Sequence, residues 1–355
     1  MSNLSANSAI QSKAHFEVLD GLRGVAALGI VVFHFIEMYT PHPDDLIAHA
    51  YLAVDFFFCL SGFVVAYAYD DRLPQMGLVK FFKQRLIRLH PLVILGTMLG
   101  LLGFIFDPFG NQWEAYSGWK LALLFLASVL MIPYPIMAER ALNNFGLNAP
   151  AWTLFWEYIA NIVYALVLHR LKRIWLLLLT GVAAAGLFYI AKSVGNVGGG
   201  WAGSNFWEGG ARIAFSFLAG MCLFRYQFII KNKLGFPLIA LLLGLAFFVP
   251  FRDSWNWLTE PLIIVLYFPL VVSLGAGTVL KPSHQSICRF SGQISYPLYI
   301  THYFILWAFG NYYAQAQPSH QTLAWVIPSL IIGQITIAYL AMKFYDLPIR
   351  KWLSR

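Results

Sequence analysis

The sequence has few charged residues for its length. Only 11% of its 355 residues are Asp, Glu, Lys or Arg, whereas a soluble domain carries about 25%. The hydrophobic share is 59%, and a soluble core of this size cannot hide so many apolar side chains. The outer surface must therefore be apolar as well, which excludes an ordinary soluble domain and predicts a protein solvated by lipid.

The sequence also has little cysteine, namely Cys59, Cys222 and Cys288. Their number is odd, and their spacing matches neither a metal site nor a disulfide framework. Cys59 and Cys222 fall in apolar segments, and Cys288 is expected in a basic loop. We therefore expect buried, inert thiols and no metal.

Long apolar segments are what the sequence does contain. A helix needs about 20 mostly apolar residues to cross a bilayer. The eleven candidates are residues 24–39, 50–69, 91–106, 119–137, 152–168, 174–191, 212–230, 234–251, 258–280, 291–309 and 323–345. Pro133 and Pro135 predict a broken element at the end of residues 119–137. The polar residues 1–15 lack an apolar core before a cleavage site, so we expect a flexible tail rather than a signal peptide.

The basic residues favour one topology over another. If all eleven segments cross, Lys and Arg divide into 10 inside and 11 outside. If residues 119–137 dip in and return, or lie at the interface, the division is 16 inside and 5 outside, with Arg23, Arg225 and Lys343 inside spans. The positive-inside rule favours the second arrangement.

The sequence thus predicts an all-α, polytopic transmembrane helical bundle. It has about ten spans plus one re-entrant or interfacial segment, and both termini are cytoplasmic. Residues 1–355 form a single membrane domain. The net charge of +8 then marks cytoplasmic loops and needs no nucleic-acid partner.

Ionisable residues inside apolar segments are functional candidates, because each costs several kcal/mol unless it is paired or wetted. Arg23 and His34 are eleven residues apart in the first segment. A helix rises about 16 Å over eleven residues and returns to nearly the same face. We therefore expect His34 near the middle of the bilayer, in line with Arg23 at the cytoplasmic mouth.

Further polar side chains predict a buried polar centre around His34. Asp55 lies in the second segment and needs a partner, which His34 or an arginine could provide. Glu157 lies in the segment that begins at Trp152, and His302 ends the stretch SYPLYITH, which also contains Ser295, Tyr296 and Tyr299. A general base needs a pKa near the working pH, which histidine supplies without much tuning.

The stretch FFKQRLIRLHP, expected in a cytoplasmic loop, contains Arg85 and Arg88. The two are one helical turn apart, so both can face the same anion. Guanidinium groups bind phosphates through two parallel hydrogen bonds. The alternative is that this pair serves only as a topology signal.

Taken together, these residues resemble the acyltransferase-3 family of integral membrane acyltransferases. The resemblance extends from Phe16 to the tail DLPIRKWL and includes Arg23 and His34 at their spacing, FFFCLSGF, FFKQRLIRLHP and SYPLYITH. Two positions differ from the family pattern. Phe155 replaces a small hydroxyl residue after Trp152, and Asp346 stands where a glutamate is common before the proline.

The resemblance implies transfer of an acyl group, most often acetyl, from acyl-CoA to a hydroxyl of a glycan, glycolipid or glycoside. It implies a place in the bacterial inner membrane and no permanently bound cofactor. Donor binding would fall to Arg23, Arg85 and Arg88, and base catalysis to His34, with His302 as the alternative base. Asp55 or Glu157 would orient the imidazole, and His302 or a tyrosine would steady the oxyanion. The acceptor site or structural polar centre would comprise Trp152, Ser295, Tyr296 and Tyr299.

Two other classes of function remain open from the residues alone. A proton-coupled transporter also uses intramembrane histidines and carboxylates, although no internal repeat is visible to support it. A non-catalytic assembly partner would not explain several costly buried ionisable groups. The sequence leaves open the acceptor, the membrane face that presents it, the acyl length, the oligomeric state and whether an acyl-enzyme forms.

Overall fold

The structure is a computed structural model that describes residues 16–41 and 44–355. Helices joined by loops make up these residues, with no strand among them. The helices are α1 Glu17–Glu37, α2 Ala53–Tyr69, α3 Leu73–Met76, α4 Leu78–Ile105, α5 Gly118–Val129, α6 Ala151–Leu166, α7 Arg173–Val194, α8 Phe206–Arg225, α9 Gly235–Leu245, α10 Asn256–Leu262, α11 Phe268–Gly277, α12 Pro282–Thr301, α13 Tyr303–Ala316, α14 His320–Leu340 and α15 Leu347–Leu353. The tail predicted at residues 1–15 lies outside the described residues.

The expected all-α membrane bundle is confirmed. Six helical segments in the described chain are long and apolar enough to cross a bilayer: Glu17–Glu37, Ala50–Tyr69, Leu78–Ile105, Arg173–Val194, Asn256–Gly277 and His320–Leu353. Leucine and valine side chains on the outer face of α7 are exposed, as expected of a surface in contact with lipid. The other expected spans form shorter or more polar helices, so the count of ten stays a prediction.

The segment at residues 119–137 does not run from one end of the bundle to the other. Its helix, α5, has 12 residues and is about 18 Å long. Before α5, the ring of Tyr116 packs on Phe104 of α4 with the centroids 5.5 Å apart. After α5, the guanidinium of Arg140 lies 5.3 Å from the same Phe104 ring. The chain before α5 and the loop after it therefore both contact the C-terminal end of α4, as expected of a re-entrant or interfacial segment.

Helix α1 lies at the centre of the bundle, where it packs against α12, α9, α2 and α11. Beside it, α2 and α8 approach each other closely. A Cβ atom at Gly62 of α2 would overlap the carbonyl oxygen of Phe217, and one at Gly220 of α8 would overlap that of Cys59. These two glycines are required because the helix backbones are in contact.

The two ends of the bundle differ in their polar contacts. The end near Arg23, called here the arginine end, contains the ion pair between Arg225 and Asp70, 2.7 Å apart. The opposite end, called the histidine end, contains His34. There the Tyr51 hydroxyl donates to Glu260 at 2.7 Å.

Three expectations about local structure are wrong. Arg85 and Arg88 lie in helix α4 rather than in a loop, because α4 begins at Leu78 and continues through Pro91. Cys288 is buried in α12, which begins with a proline at its first position, where the missing N–H costs nothing. The span expected at residues 291–309 is two helices that meet at His302.

Candidate active site

A pocket of about 110 Å³ opens between α1, α2, α4, α6 and α12 toward the arginine end. We call it the arginine pocket. Nine polar side chains line it: Arg23, Ser61, Arg85, Arg88, Thr153, Glu157, Ser295, Tyr296 and Tyr299. Seven of them, all except Ser61 and Thr153, are residues that the sequence predicts for donor binding, for the polar centre or for orienting the base.

The arginine pocket has more positive than negative charge. Arg85 is buried and its Nη2 lies 2.7 Å from Glu157 Oε1, which also accepts a hydrogen bond of 3.1 Å from Ser61. Arg23 lies 3.7 Å from Asp20 in a partly exposed pair. Arg88 has no ion pair among the described residues. The pocket is therefore suited to an anionic ligand.

Two tyrosines of α12 form the inner wall of the arginine pocket. The Tyr296 hydroxyl donates to the carbonyl oxygen of Leu89 at 2.6 Å. The Tyr299 hydroxyl lies 3.0 Å from Oγ1 of Thr153. Thr153 itself donates to the carbonyl oxygen of Pro150, so the proton between the two hydroxyls belongs to Tyr299. This contact fixes the Tyr299 ring across the closed end of the pocket.

The two predicted histidines meet just beyond that closed end. The imidazole rings of His34 and His302 stack with their centroids 5.4 Å apart and their planes 16° from parallel. The ring of Tyr299 lies 6.0 Å from that of His302. Tyr299 therefore lines the arginine pocket and also lies beside the histidine pair.

Glu37 is the carboxylate that contacts His34. Nδ1 of His34 and Oε1 of Glu37 are 2.5 Å apart, and the side chains are 30% and 26% exposed. The expectation that Asp55 or Glu157 orients this imidazole is not met. Glu37 carries the right signal in the sequence, because it lies three residues after His34 and one helical turn brings the two together.

The position of His34 along its helix also differs from expectation. It lies in the last turn of α1, which ends at Glu37, rather than at the midpoint. The sequence pattern suggested a start near Gly24, but the structure begins α1 at Glu17. His34 is therefore close to the histidine end, where it is partly exposed.

Hydrogen bonds indicate which ring nitrogens are free to accept a proton. Nδ1 of His302 lies 2.8 Å from the carbonyl oxygen of Tyr299, so it must donate, and Nε2 is left with a lone pair. That Nε2 is buried and has no partner in the described chain. By the same argument, Nδ1 of His34 donates to Glu37. Each histidine thus presents Nε2 as a base.

Asp55 belongs to a buried ion pair that the sequence analysis missed. Arg212 of α8 places Nη2 at 2.6 Å from Asp55 Oδ2, and the side chains are 2% and 0% exposed. The same guanidinium donates to the carbonyl oxygen of Gly199 and lies 5.3 Å from the ring of Trp152. An arginine partner was one of two expectations for Asp55, but nothing in the sequence pointed to a residue 157 positions away. Asp55 of α2 and Trp152 of α6 thus both contact the buried guanidinium of α8.

Comparisons with known proteins identify the family. The model of the acyltransferase domain family matches residues 16–343. The O-acetyltransferase OatA of Staphylococcus aureus is 24% identical over 368 aligned residues, which cover 94% of this chain and 57% of that relative. Protein 2 in the picA locus of Rhizobium radiobacter is 38% identical over 160 residues, or 42% of this chain and 81% of that protein.

A third relative, acyltransferase MdmB of Streptomyces mycarofaciens, is 28% identical over 169 residues, 44% of this chain and 40% of that protein. No solved structure matches the chain significantly. The family match begins at the first described residue and includes both the arginine pocket and the histidine pair. The chain therefore belongs to the acyltransferase-3 family of integral membrane acyltransferases.

Proposed function

We propose that this protein moves an acyl group, in the first place acetyl, from acyl-CoA to a hydroxyl of a glycan, glycolipid or glycoside. The observation that carries the proposal is the short path from the arginine pocket to the histidine pair. Tyr299 lines the pocket, its ring is 6.0 Å from that of His302, and His302 stacks on His34. A thioester held by the arginines would thus point at the base.

The donor would enter at the arginine end. Coenzyme A carries several phosphate charges, and planar guanidinium groups bind phosphate oxygens through paired hydrogen bonds. Arg88 has no ion pair in the described chain to give up on binding. Arg85 has a buried Nε without a partner there, so it can hold Glu157 and still donate to a ligand.

In the transfer step, the acceptor hydroxyl gives its proton to Nε2 of His34 as its oxygen attacks the thioester carbonyl carbon. The tetrahedral intermediate collapses when the carbon–sulfur bond breaks, and the proton passes from His34 to the coenzyme A sulfur. The products are an ester and free coenzyme A. Glu37 stabilises the imidazolium that exists between these two proton transfers.

The oxyanion of the intermediate needs a hydrogen-bond donor, and neither His302 nor Tyr299 offers a free one in this structure. Neutral His302 has its proton on Nδ1, facing the Tyr299 carbonyl, so its Nε2 cannot donate. The Tyr299 hydroxyl already donates to Thr153. We infer that Tyr299 turns from Thr153 toward the oxyanion when the donor fills the pocket, which keeps it in the role proposed for a tyrosine.

The names of the relatives support the acyl group and the acceptor atom. One relative is named an O-acetyltransferase and another an acyltransferase. Family membership also favours the enzyme over the transporter alternative. For the location we propose the bacterial inner membrane with the arginine end and both termini in the cytoplasm, where acyl-CoA is available.

The test uses purified protein in lipid nanodiscs with labelled acetyl-CoA and a panel of glycans. Mass spectrometry of the products should find acetyl esters on at least one acceptor, and Arg88→Ala should abolish most of the transfer at limiting donor. An unchanged dependence on acetyl-CoA concentration in Arg88→Ala would contradict the donor site. Transfer of label to no hydroxyl, with acetyl-CoA bound, would contradict the function.

A further inference from the structure

The loop between α5 and α6 contains a buried arginine that the proposed chemistry does not use. Arg140 is 3% exposed. Its guanidinium carbon lies 4.2 Å from the ring centroid of Trp307 and 5.7 Å from that of Tyr303. Tyr303 directly follows His302, one of the two stacked histidines, in the chain.

The charge of Arg140 lacks a carboxylate partner. In residues 16–41 and 44–355 no carboxylate lies within ion-pair distance of it. Asp107 and Glu139 act on it only at longer range, and its near polar neighbour is the Tyr303 hydroxyl. Its Nε is buried without a hydrogen-bond partner in this part of the chain. A buried charge is costly unless it is paired, so this guanidinium is ready for an anion.

The loop around Arg140 is held in place. Ala141 and Leu142 have φ of 53° and 51°, a left-handed conformation that non-glycine residues adopt rarely. The backbone N–H of Asn144 donates to the carbonyl oxygen of Trp201 at 2.8 Å, and its side chain donates to that of Gly200. Contacts with a second loop thus fix the turn that carries Arg140.

We propose that Arg140 binds an anionic group, a phosphate or a carboxylate, on the acyl acceptor. This rests on the proposed function, because the acceptor's hydroxyl must reach His34. The guanidinium carbon lies over the Trp307 ring, and its Nε, which has no partner in the described chain, can donate to such a group. Arg140 lies 5.7 Å from the ring of Tyr303, the residue after His302, and the ring of His302 stacks on that of His34. An anion held by Arg140 therefore brings neighbouring hydroxyls of the same molecule close to the His34–Glu37 pair. Sugar phosphates and uronic acids fit this site better than neutral sugars.

The test measures binding of two probes, inorganic phosphate and glucuronate, by thermal unfolding of the full-length protein. The protein is held in phosphatidylcholine nanodiscs with coenzyme A present to occupy the arginine pocket. Arg140→Gln should weaken binding of at least one probe by about tenfold or more, the usual effect of losing a charged hydrogen-bond donor. Arg140→Lys should lie between, since it keeps the charge without the planar fork. The control Arg252→Gln removes an exposed cation from the histidine end and should match wild type.

Acetyl-CoA should stabilise all variants equally, which shows that each variant is folded and tests the donor site separately. If acetyl-CoA does not stabilise Arg140→Gln, the probe affinity of Arg140→Lys is compared with that of wild type instead. Equal probe affinity in wild type and the Arg140 variants, or no binding of either probe, overturns the proposal. Stabilisation through Arg140 by phosphatidylglycerol in the nanodisc, but by neither soluble probe, assigns the site to a lipid headgroup and also overturns it. If wild type binds the probes through Arg140 but does not bind acetyl-CoA, the result contradicts the proposed function rather than the Arg140 site.

Discussion

Replacing Glu37 by Gln tests whether this carboxylate assists the base. Gln keeps a hydrogen-bond acceptor beside Nδ1 of His34 but removes the charge that stabilises the imidazolium. A hydrogen bond to a charged group contributes about 1.5–3 kcal/mol. The side chains are 30% and 26% exposed, so solvent screens the pair in part and the lower half of that range applies. About 1.5–2 kcal/mol corresponds to a loss in kcat of roughly 10–30-fold.

The assay is acyl transfer at saturating donor and acceptor, with acetyl-CoA affinity measured on the same samples. Glu37→Gln should lower kcat and leave donor affinity unchanged, and Glu37→Ala should lower kcat further. Glu17→Gln is the matched control, because Glu17 lies on the same helix at the arginine end and contacts Gln285. A kcat for Glu37→Gln within twofold of wild type would refute the assignment.

The remaining predictions concern the ion pair, the helix contact and the donor site. Asp55→Asn leaves a buried arginine uncompensated and should destabilise the protein by about 3–5 kcal/mol in detergent unfolding; a change below 1 kcal/mol would show that the pair contributes little. Gly62→Ala should cost about 1–3 kcal/mol by overpacking, while Gly333→Ala, which meets open space, should be nearly neutral. Arg88→Ala should weaken acetyl-CoA binding about tenfold or more, and the exposed control Lys351→Ala should not; equal affinities would reduce the arginine pair to a topology signal.

The sequence predicted the residues of the arginine pocket better than those that support the base. Arg85 and Arg88 are one turn apart on a helix, and the helical repeat is enough to place them together. His302 lies beside His34, as expected of polar side chains in neighbouring apolar segments. The sequence could not show that Tyr299 contacts both the pocket and His302, because that depends on how α12 packs against α6.

The support for the base was predicted incorrectly for two different reasons. The helical repeat places Glu37 one turn after His34, so the sequence does contain this contact. Glu37 lies at the end of the apolar segment, where a carboxylate is not unusual. The partner of Asp55 could not be predicted, because Arg212 lies on a different helix and residue spacing predicts contacts only within one helix. Arg212 is 2% exposed inside the bundle.

Arg140 shows a third limit of sequence reasoning. Its segment contains no apolar period, and its position depends on a turn with two residues at positive φ, Ala141 and Leu142. Neither residue type favours that conformation, so local sequence predicts neither the turn nor the burial of the arginine. Tertiary contacts of the loop determine both.

The central claim is that His34 is the base and His302 its neutral neighbour. The most direct test is to compare His34→Ala with His302→Ala in one transfer assay, with expression and acetyl-CoA binding checked for both. His34→Ala should bind acetyl-CoA normally and lose about 100-fold or more in turnover, and His302→Ala should keep more activity than His34→Ala. Near-wild-type turnover in His34→Ala, together with an inactive but folded His302→Ala, would contradict the claim.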